Sequence, residues 1–219
     1  MVYFWLKNKG VRVYMQGYIV HITKAKEEDL IVHILTENKL KTAYRFYGAR
    51  HSVIHVGYKI DFEPHYSTKS SLPQLREVLH LGHRWNGIRE RMLLWQRFIA
   101  LFYPHLKGIE SLEPFYLELL DWCALRWEKQ NPKRIALEAY IKLLAHEGRL
   151  HPLSDCFACD LPLHEEVTLT RGFLPAHPAC VYQEGMQRPL VDTLLNEASA
   201  LHLSDKHVES LWRTLLEGL

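Results

Sequence analysis

No stretch of this chain is both long and uncharged enough to cross a bilayer. The longest runs without Asp, Glu, Lys or Arg are Gly172–Gln183 (12 residues) and Val13–Thr23 (11 residues), against the ~18–20 that a membrane helix needs. No membrane partner is expected. Lys7 and Lys9 interrupt the apolar opening and no small-residue cleavage site follows, so no secretory signal is expected either. Cysteine is scarce, four in 219 residues. Without an export signal, this argues against a disulfide framework and for a cytoplasmic protein. Gly-x-Ser-x-Gly, Gly-x-x-x-x-Gly-Lys and Gly-x-Gly-x-x-Gly are all absent, which removes the common nucleophile and phosphate-loop enzymes. No pair of carboxylates can be assigned to acid–base work. The sequence therefore predicts a protein that is not an enzyme.

The charge is small overall but unevenly spread. Residues 1–76 hold 12 Lys and Arg against 6 Asp and Glu, residues 77–155 hold 11 against 10, and residues 156–219 hold 4 against 9. A basic first third and an acidic last third point to a polyanion partner at one end.

The basic third has the pattern of strands. Gln16–Ile22, Leu30–Thr36, Leu40–Tyr47, Val56–Glu63 and Leu75–Leu81 are rich in β-branched and aromatic residues, with turn residues between them. Five short strands with no crossover helix predict a small antiparallel barrel. In the third strand, Leu40, Thr42, Tyr44 and Phe46 alternate with Lys41, Ala43, Arg45 and Tyr47, which predicts Lys41, Arg45 and Tyr47 on one face. Lys24, Lys26, Lys39, Lys41, Arg45, Arg50 and Lys59 lie in or beside these strands, with Tyr18, Tyr44, Tyr47 and Tyr58 among them. Cations that track phosphates and rings that stack on bases are the equipment of a single-strand-binding barrel. Glu27-Glu28-Asp29 interrupts the basic run and is expected to turn away from the groove.

The middle of the chain changes to a helical period. Ile88, Met92, Trp95, Ile99 and Phe102 form an amphipathic stripe. A second helix is expected from about Leu112 to Glu128, with Ser111 as cap and Pro114 in the first turn. A third is bounded by Asn131 as N-cap, Pro132 at the first position and Gly148 at the exit. After Pro152 a loop-rich knuckle spans 155–185, and two helices follow, at about Arg188–Ala200 and Ser204–Glu217. Strands followed by helices make the chain α+β. Cys123, alone in an apolar helical segment, is expected to be a buried small hydrophobe.

The strongest local motif is Cys156-Phe157-Ala158-Cys159, then 17 residues, then His177-Pro178-Ala179-Cys180. Two pairs of soft ligands, each with two residues between its members, predict a closed tetrahedral site on Cys156, Cys159, His177 and Cys180. Structural zinc is the default ion, and His164 is the obvious substitute ligand. Four protein ligands leave no open position for hydrolysis, and the stretch lacks the His-x-Glu of zinc deaminases.

In order along the chain, these parts resemble the RecO family of bacterial recombination mediators. The likeness is carried by Gln16-Gly17-Tyr18-Ile19-Val20, Glu28-Asp29-Leu30-Ile31-Val32 and Tyr47-Gly48-Ala49-Arg50, the last similar to a Lys-Gly-Ala-Arg stretch. Glu147-Gly148-Arg149-Leu150, followed shortly by Cys156-Phe157-Ala158-Cys159, completes it. It covers about residues 15–182. The resemblance implies an OB-fold at 15–82 that binds single- and double-stranded DNA, and a helical domain at 83–219 carrying a zinc module at 155–182. It also implies strand annealing without catalytic turnover, a grip on the acidic tail of single-strand-binding protein, and work with RecR to load RecA at the nucleoid. By position it makes Lys24, Lys39, Lys41, Arg45 and Arg50 DNA contacts, although only Gly48, Ala49 and Arg50 match residue by residue. Arg126, Lys133 and Arg134 are the candidate partners for the tail carboxylates, chosen from charge. His177 stands where many members have Cys. Two readings of the extension 1–14 stand: an artefact of translation start with Met15 as the true first residue, or an extra strand. A different class of protein, a zinc-ribbon accessory factor that does not anneal strands, also fits the composition.

Overall fold

A computed structural model describes residues 15–50, 53–68 and 70–219; the extension at 1–14 lies outside them. Five strands form a closed barrel: β1 (Met15–Lys24), β2 (Leu30–Leu35), β3 (Leu40–Arg45), β4 (Lys59–His65) and β5 (Gln74–His80), in the order β1-β2-β3-β5-β4. Neighbours are antiparallel except β3 and β5, which meet in parallel at Tyr44 and Gln74. The barrel interior is filled by Ile19, Val32, Ile34, Ala43, Ile60, Phe62 and Leu75, with Ile54 from the β3–β4 connection. A bulge in β1 between Ile19 and His21 lets one strand serve two cores. Ile19 points inward, while Tyr18 and Val20 join the helical core outside.

The helices are α1 (Arg89–Ile99), α2 (Phe102–Leu106), α3 (Phe115–Arg126) and α4 (Pro132–His146). Beyond the knuckle come α5 (Pro178–Val181), α6 (Arg188–Glu197) and α7 (Asp205–Leu215). Asn131 caps α4 by accepting the Lys133 amide at 3.0 Å, and Ser204 caps α7 by accepting from His207. The expected second helix begins three residues late. The Leu112 amide donates to Asn38 O on the β2–β3 turn, and Pro114 becomes the N-cap residue. The first stripe breaks after Ile99, so Phe102 opens a separate short helix, and Ile88 is half exposed. Cys123 is fully buried.

The knuckle holds more strand than the sequence predicts. A three-stranded sheet, β7 (Pro175–Ala176), β6 (Glu166–Leu169) and β8 (Met186–Gln187), backs it against α6. Phe173 meets Tyr140 of α4 edge-on, ring centres 4.8 Å apart.

Glu147-Gly148-Arg149 ties three elements together. Gly148 leaves α4 at φ +66, a left-handed conformation that suits glycine at a helix exit. Beside it, Glu147 accepts from His105 at 2.7 Å, Tyr116 at 3.0 Å and Arg149 at 2.8 Å, joining α2 and α3 to the end of α4. Burial pushes its carboxyl up, but these three donors outweigh burial and hold it below its ordinary range. A depressed carboxylate contributes stability that is fully present above its unfolded pKa, ~4.3, and fades as pH falls through the folded value. Glu147→Gln should therefore cost about 2 kcal/mol in urea unfolding at pH 7, and the gap to wild type should shrink by pH 3.5. An equal gap at both pH values would show that shape, not charge, matters here.

Candidate nucleic-acid interface and metal centre

At one mouth of the barrel, the turn between β1 and β2 lies against the segment that leaves β3. Ala25 N–H donates to Asp29 O and Asp29 N–H to Lys26 O, closing the turn. Asp29 then reaches across: one carboxylate oxygen accepts the Tyr44 hydroxyl at 2.6 Å and the other the Tyr47 amide at 2.8 Å. The Tyr44 hydroxyl is the main reason that the Asp29 carboxyl is held below its usual range. Glu28 accepts Ala49 N–H through its carbonyl at 2.9 Å and pairs through its side chain with Arg50. The acidic triplet thus does not turn away from the basic surface; it fastens one edge of it.

Gly48 fits in this crossing because a Cβ there would stand 2.9 Å from two Leu30 side-chain carbons. Just before it, Tyr47 takes φ +50, unusual for a bulky residue, and is 56% exposed. Lys24, Lys26, Tyr47 and Arg50 are all exposed at this mouth. Lys39 and Lys41 belong to the far end of the β2–β3 hairpin, about 15 Å away along the strand at ~3.3 Å per residue.

The alternation in β3 runs opposite to the expected use. Lys41 pairs with Ile34, Ala43 with Val32 and Arg45 with Leu30. Directly opposed residues share a face of the sheet, and these three partners are buried in the barrel. Arg45 thus sits over the barrel end, where its guanidinium donates to Leu75 O at 2.7 Å. Tyr47 lies beyond the strand and does not share that face. A groove of about 510 Å³ beside Arg45 is lined by Arg76, Glu77, Val78 and Leu79. Lys59 and Tyr18, also expected among the barrel cations and rings, are held by Asp121 of α3 at 2.7 and 2.9 Å. Tyr58 stacks on His80.

On the helical side, two of the three expected partner contacts are already taken. Lys133 pairs with Glu209, and Arg134 pairs with Asp205 at 2.8 Å and donates to Ala200 O, tying α4 to α7. Arg126 instead lies over the Trp122 ring, 4.4 Å from its centre, and Lys142 approaches the same ring at 5.2 Å. Trp122 and Lys142, like Phe46, carry no functional expectation from the sequence. A Trp and an Arg four apart on one helix, Trp122 and Arg126, was the available signal.

The four expected ligands do converge. One ligand atom each from Cys156, Cys159, His177 and Cys180 lies within 4.8 Å of all the others. Two tight turns present them: Asp160 N–H donates to Cys156 O, and Cys180 N–H to His177 O. His177 Nδ1 lies 3.4 Å from Cys159 Sγ and 3.8 Å from Cys180 Sγ, while Nε2 faces Pro162 O at 3.0 Å. A carbonyl that engages Nε2–H fixes the tautomer, so Nδ1 is free to ligate. Burial raises the Cys156 thiol, yet amides of His177, Ala158 and Cys159 bring it down to about 6. Cys180 is pushed up to about 11, chiefly by its contact with Cys159 and then by burial. Crowded sulfurs that cannot all ionise together fit a soft divalent cation, which would compensate their charge. The chemistry and spacing of the donor set fit a closed Cys₃His metal centre. His164 is not part of the cluster.

Comparison with known proteins gives one finding. Residues 15–86 match the family model described as RecO N terminal. No curated protein matches the chain.

Cobalt(II) titrated into metal-free protein should bind one to one with the visible bands of a tetrahedral thiolate site, releasing protons as the thiols ionise. Cys159→Ser should weaken those bands and lower the melting temperature of the metal-loaded protein. Octahedral, featureless spectra would show that the four side chains do not form one site.

Proposed function

We propose that this chain, whose residues 15–86 match the RecO N-terminal family model, is a recombination mediator of that family that binds DNA through its barrel and anneals complementary strands. The observation that carries this reading is the barrel mouth, where Lys24, Lys26 and Arg50 gather beside exposed rings on the matched domain. Two single strands repel each other through their phosphates. A basic surface that holds both lowers that repulsion and leaves the base edges free to pair. No turnover of a small substrate is involved.

We assign DNA contact to residues 15–82, with Lys24, Lys26, Tyr47 and Arg50 at the mouth and Lys39 at the far end of the β2–β3 hairpin; Lys41, on the row of β3 that faces the barrel, is left out of that surface. Arg45 acts there by holding the barrel end to Leu75 as well as by its charge. Residues 83–219 form the partner-binding part, and the module at 155–182 is held by structural zinc on Cys156, Cys159, His177 and Cys180. Structural zinc contributes on the order of 10–16 kcal/mol in finger peptides, enough to order a segment with few apolar residues. For the acidic tail of single-strand-binding protein, the available carboxylate partners are Arg126 and Lys142 around Trp122, since Lys133 and Arg134 are engaged within the chain. RecR is the expected protein partner, and the nucleoid in the cytoplasm the place of work. Among the described residues, no helix is long and apolar enough to cross a membrane.

The test is annealing of two labelled complementary strands, bare and coated with single-strand-binding protein. Acceleration that persists on coated strands is expected. Binding without acceleration would make the protein a zinc-bearing accessory factor instead. Lys26→Ala should reduce the slope of log affinity against log salt by about 0.7 on single strands, the value for one lost phosphate contact. An unchanged slope would move the interface off this mouth.

A further inference from the structure

Phe46 and Tyr47 are the least economical residues at the barrel mouth. A turn that leaves a strand with positive φ is most cheaply made with Gly or Asn. Here the chain places a tyrosine at φ +50 and precedes it with a phenylalanine. Neither ring is used to fill a core: Phe46 is 50% and Tyr47 56% exposed. Both are nevertheless fixed. Tyr44 meets Phe46 edge-on with ring centres 4.9 Å apart, and the Arg50 guanidinium lies 5.4 Å over the Tyr47 ring. The segment is fastened to the β1–β2 turn at three points: the Tyr47 amide donates to one carboxylate oxygen of Asp29, the Tyr44 hydroxyl to the other, and Ala49 N–H to the Glu28 carbonyl. Exposed, immobilised rings in a strained turn and flanked by cations indicate a ligand with flat apolar faces and negative charge.

We infer that Phe46 and Tyr47 form a stacking platform for the unpaired bases of single-stranded DNA, aimed by Asp29, which is a positioning residue. This rests on the DNA-binding reading above and adds which state of DNA the mouth selects. In a duplex the base faces are already covered by their neighbours, so the platform has nothing to stack on. The cations Lys24, Lys26 and Arg50 attract both forms through phosphate, the more highly charged duplex at least as strongly. Preference for single strands therefore comes from the two rings and not from charge.

These two contributions separate by salt. Stacking releases no counterions, so removing a ring lowers affinity without changing the salt slope, whereas removing a cation changes the slope. Single-strand and duplex affinities of the full chain would be measured across a salt series for Phe46→Ser, Tyr47→Asn and Asp29→Asn, with melting temperatures alongside. Asn tolerates the left-handed backbone at 47, so the fold is retained there. Each ring variant should weaken single-strand binding about 10-fold, with duplex affinity and both slopes unchanged. Asp29→Asn removes a negative charge from a basic mouth, so its duplex affinity should rise slightly while its single-strand affinity falls. A purely electrostatic role for Asp29 would raise both. Unchanged single-strand affinity in the ring variants, or equal losses on both substrates, overturns the platform while leaving DNA binding itself in place. If the wild-type chain binds neither form at low salt, the DNA-binding reading fails first and the platform with it.

Discussion

The carboxylate of Asp121 holds the barrel to the helices. Lys59 of β4 donates to both of its oxygens, at 2.7 and 2.9 Å, and the Tyr18 hydroxyl of β1 donates to one of them at 2.9 Å. The lysine side chain is only 16% exposed, so loss of the carboxylate would strand a largely buried charge, the costly way to break such a pair. Burial, then Asp121 itself, pushes the Tyr18 hydroxyl far above its ordinary range and keeps it a donor. Around this pair the indole N–H groups are also engaged: Trp95 donates to Gly57 O at 2.7 Å, Trp85 to Ala124 O at 2.9 Å and Trp127 to Arg91 O at 3.0 Å. Trp85, Trp95, Trp127 and Phe98 pack edge-on and stacked within that frame. A barrel joined to helices by apolar contact alone could slide; fixed polar partners define a single register.

That register separates the two ends of the barrel. Tyr18 and Lys24 are six residues apart on β1, about 20 Å at ~3.3 Å per residue. The Tyr18 end is covered by α1 and α3, and the Lys24 end carries the turn fastened to Tyr47 and Arg50. The cations of the chain divide along the same line. Lys59, Lys133 and Arg134 are engaged in contacts within the fold, and Arg45 in a carbonyl contact at the barrel rim. Lys24 and Lys26 are exposed with no ion pair among the described residues. Net charge along the sequence thus overstates how much positive surface is available, and the ion pairs decide where that surface lies.

Features set by neighbours in the chain were legible in the sequence. Asn131-Pro132 and Ser204 started helices where expected, Gly148 ended one, and all five barrel strands lie within three residues of their expected bounds at either end. The convergence of the four candidate metal ligands was legible because two short spacings dictate two tight turns. Features set by partners far away were not. Lys133 and Glu209 are 76 residues apart, and Lys59 and Asp121 are 62 apart, so no local pattern announces that these cations are taken. The face of β3 was misjudged for another reason. Lys41, Ala43 and Arg45 form a set with one small apolar member, too weak to mark the interior. Only pairing with Ile34, Val32 and Leu30 shows that Ala43 fills the barrel. The acidic triplet shows in the sequence only as charge, whereas in the fold Asp29 acts by geometry.

The two candidate sites have different jobs because their surroundings differ in charge and depth. The metal cluster lies on a segment whose apolar side continues into the helical core. Cys156 is fully buried and, with Leu163 and Val167, belongs to the helical core, and Phe173 reaches Tyr140 of α4. A metal ion there would steady the packing of α4, α6 and α7 without touching the barrel interior, which is a separate core. The same segment carries Asp155, Asp160, Glu165, Glu166 and Glu184, and its acidic character repels a phosphate backbone. A polyanion in this field would be repelled by the metal module and attracted to the basic barrel mouth. The acidic third thus sets the metal cluster apart from the barrel mouth, where Lys24 and Lys26 are exposed without an ion pair among the described residues.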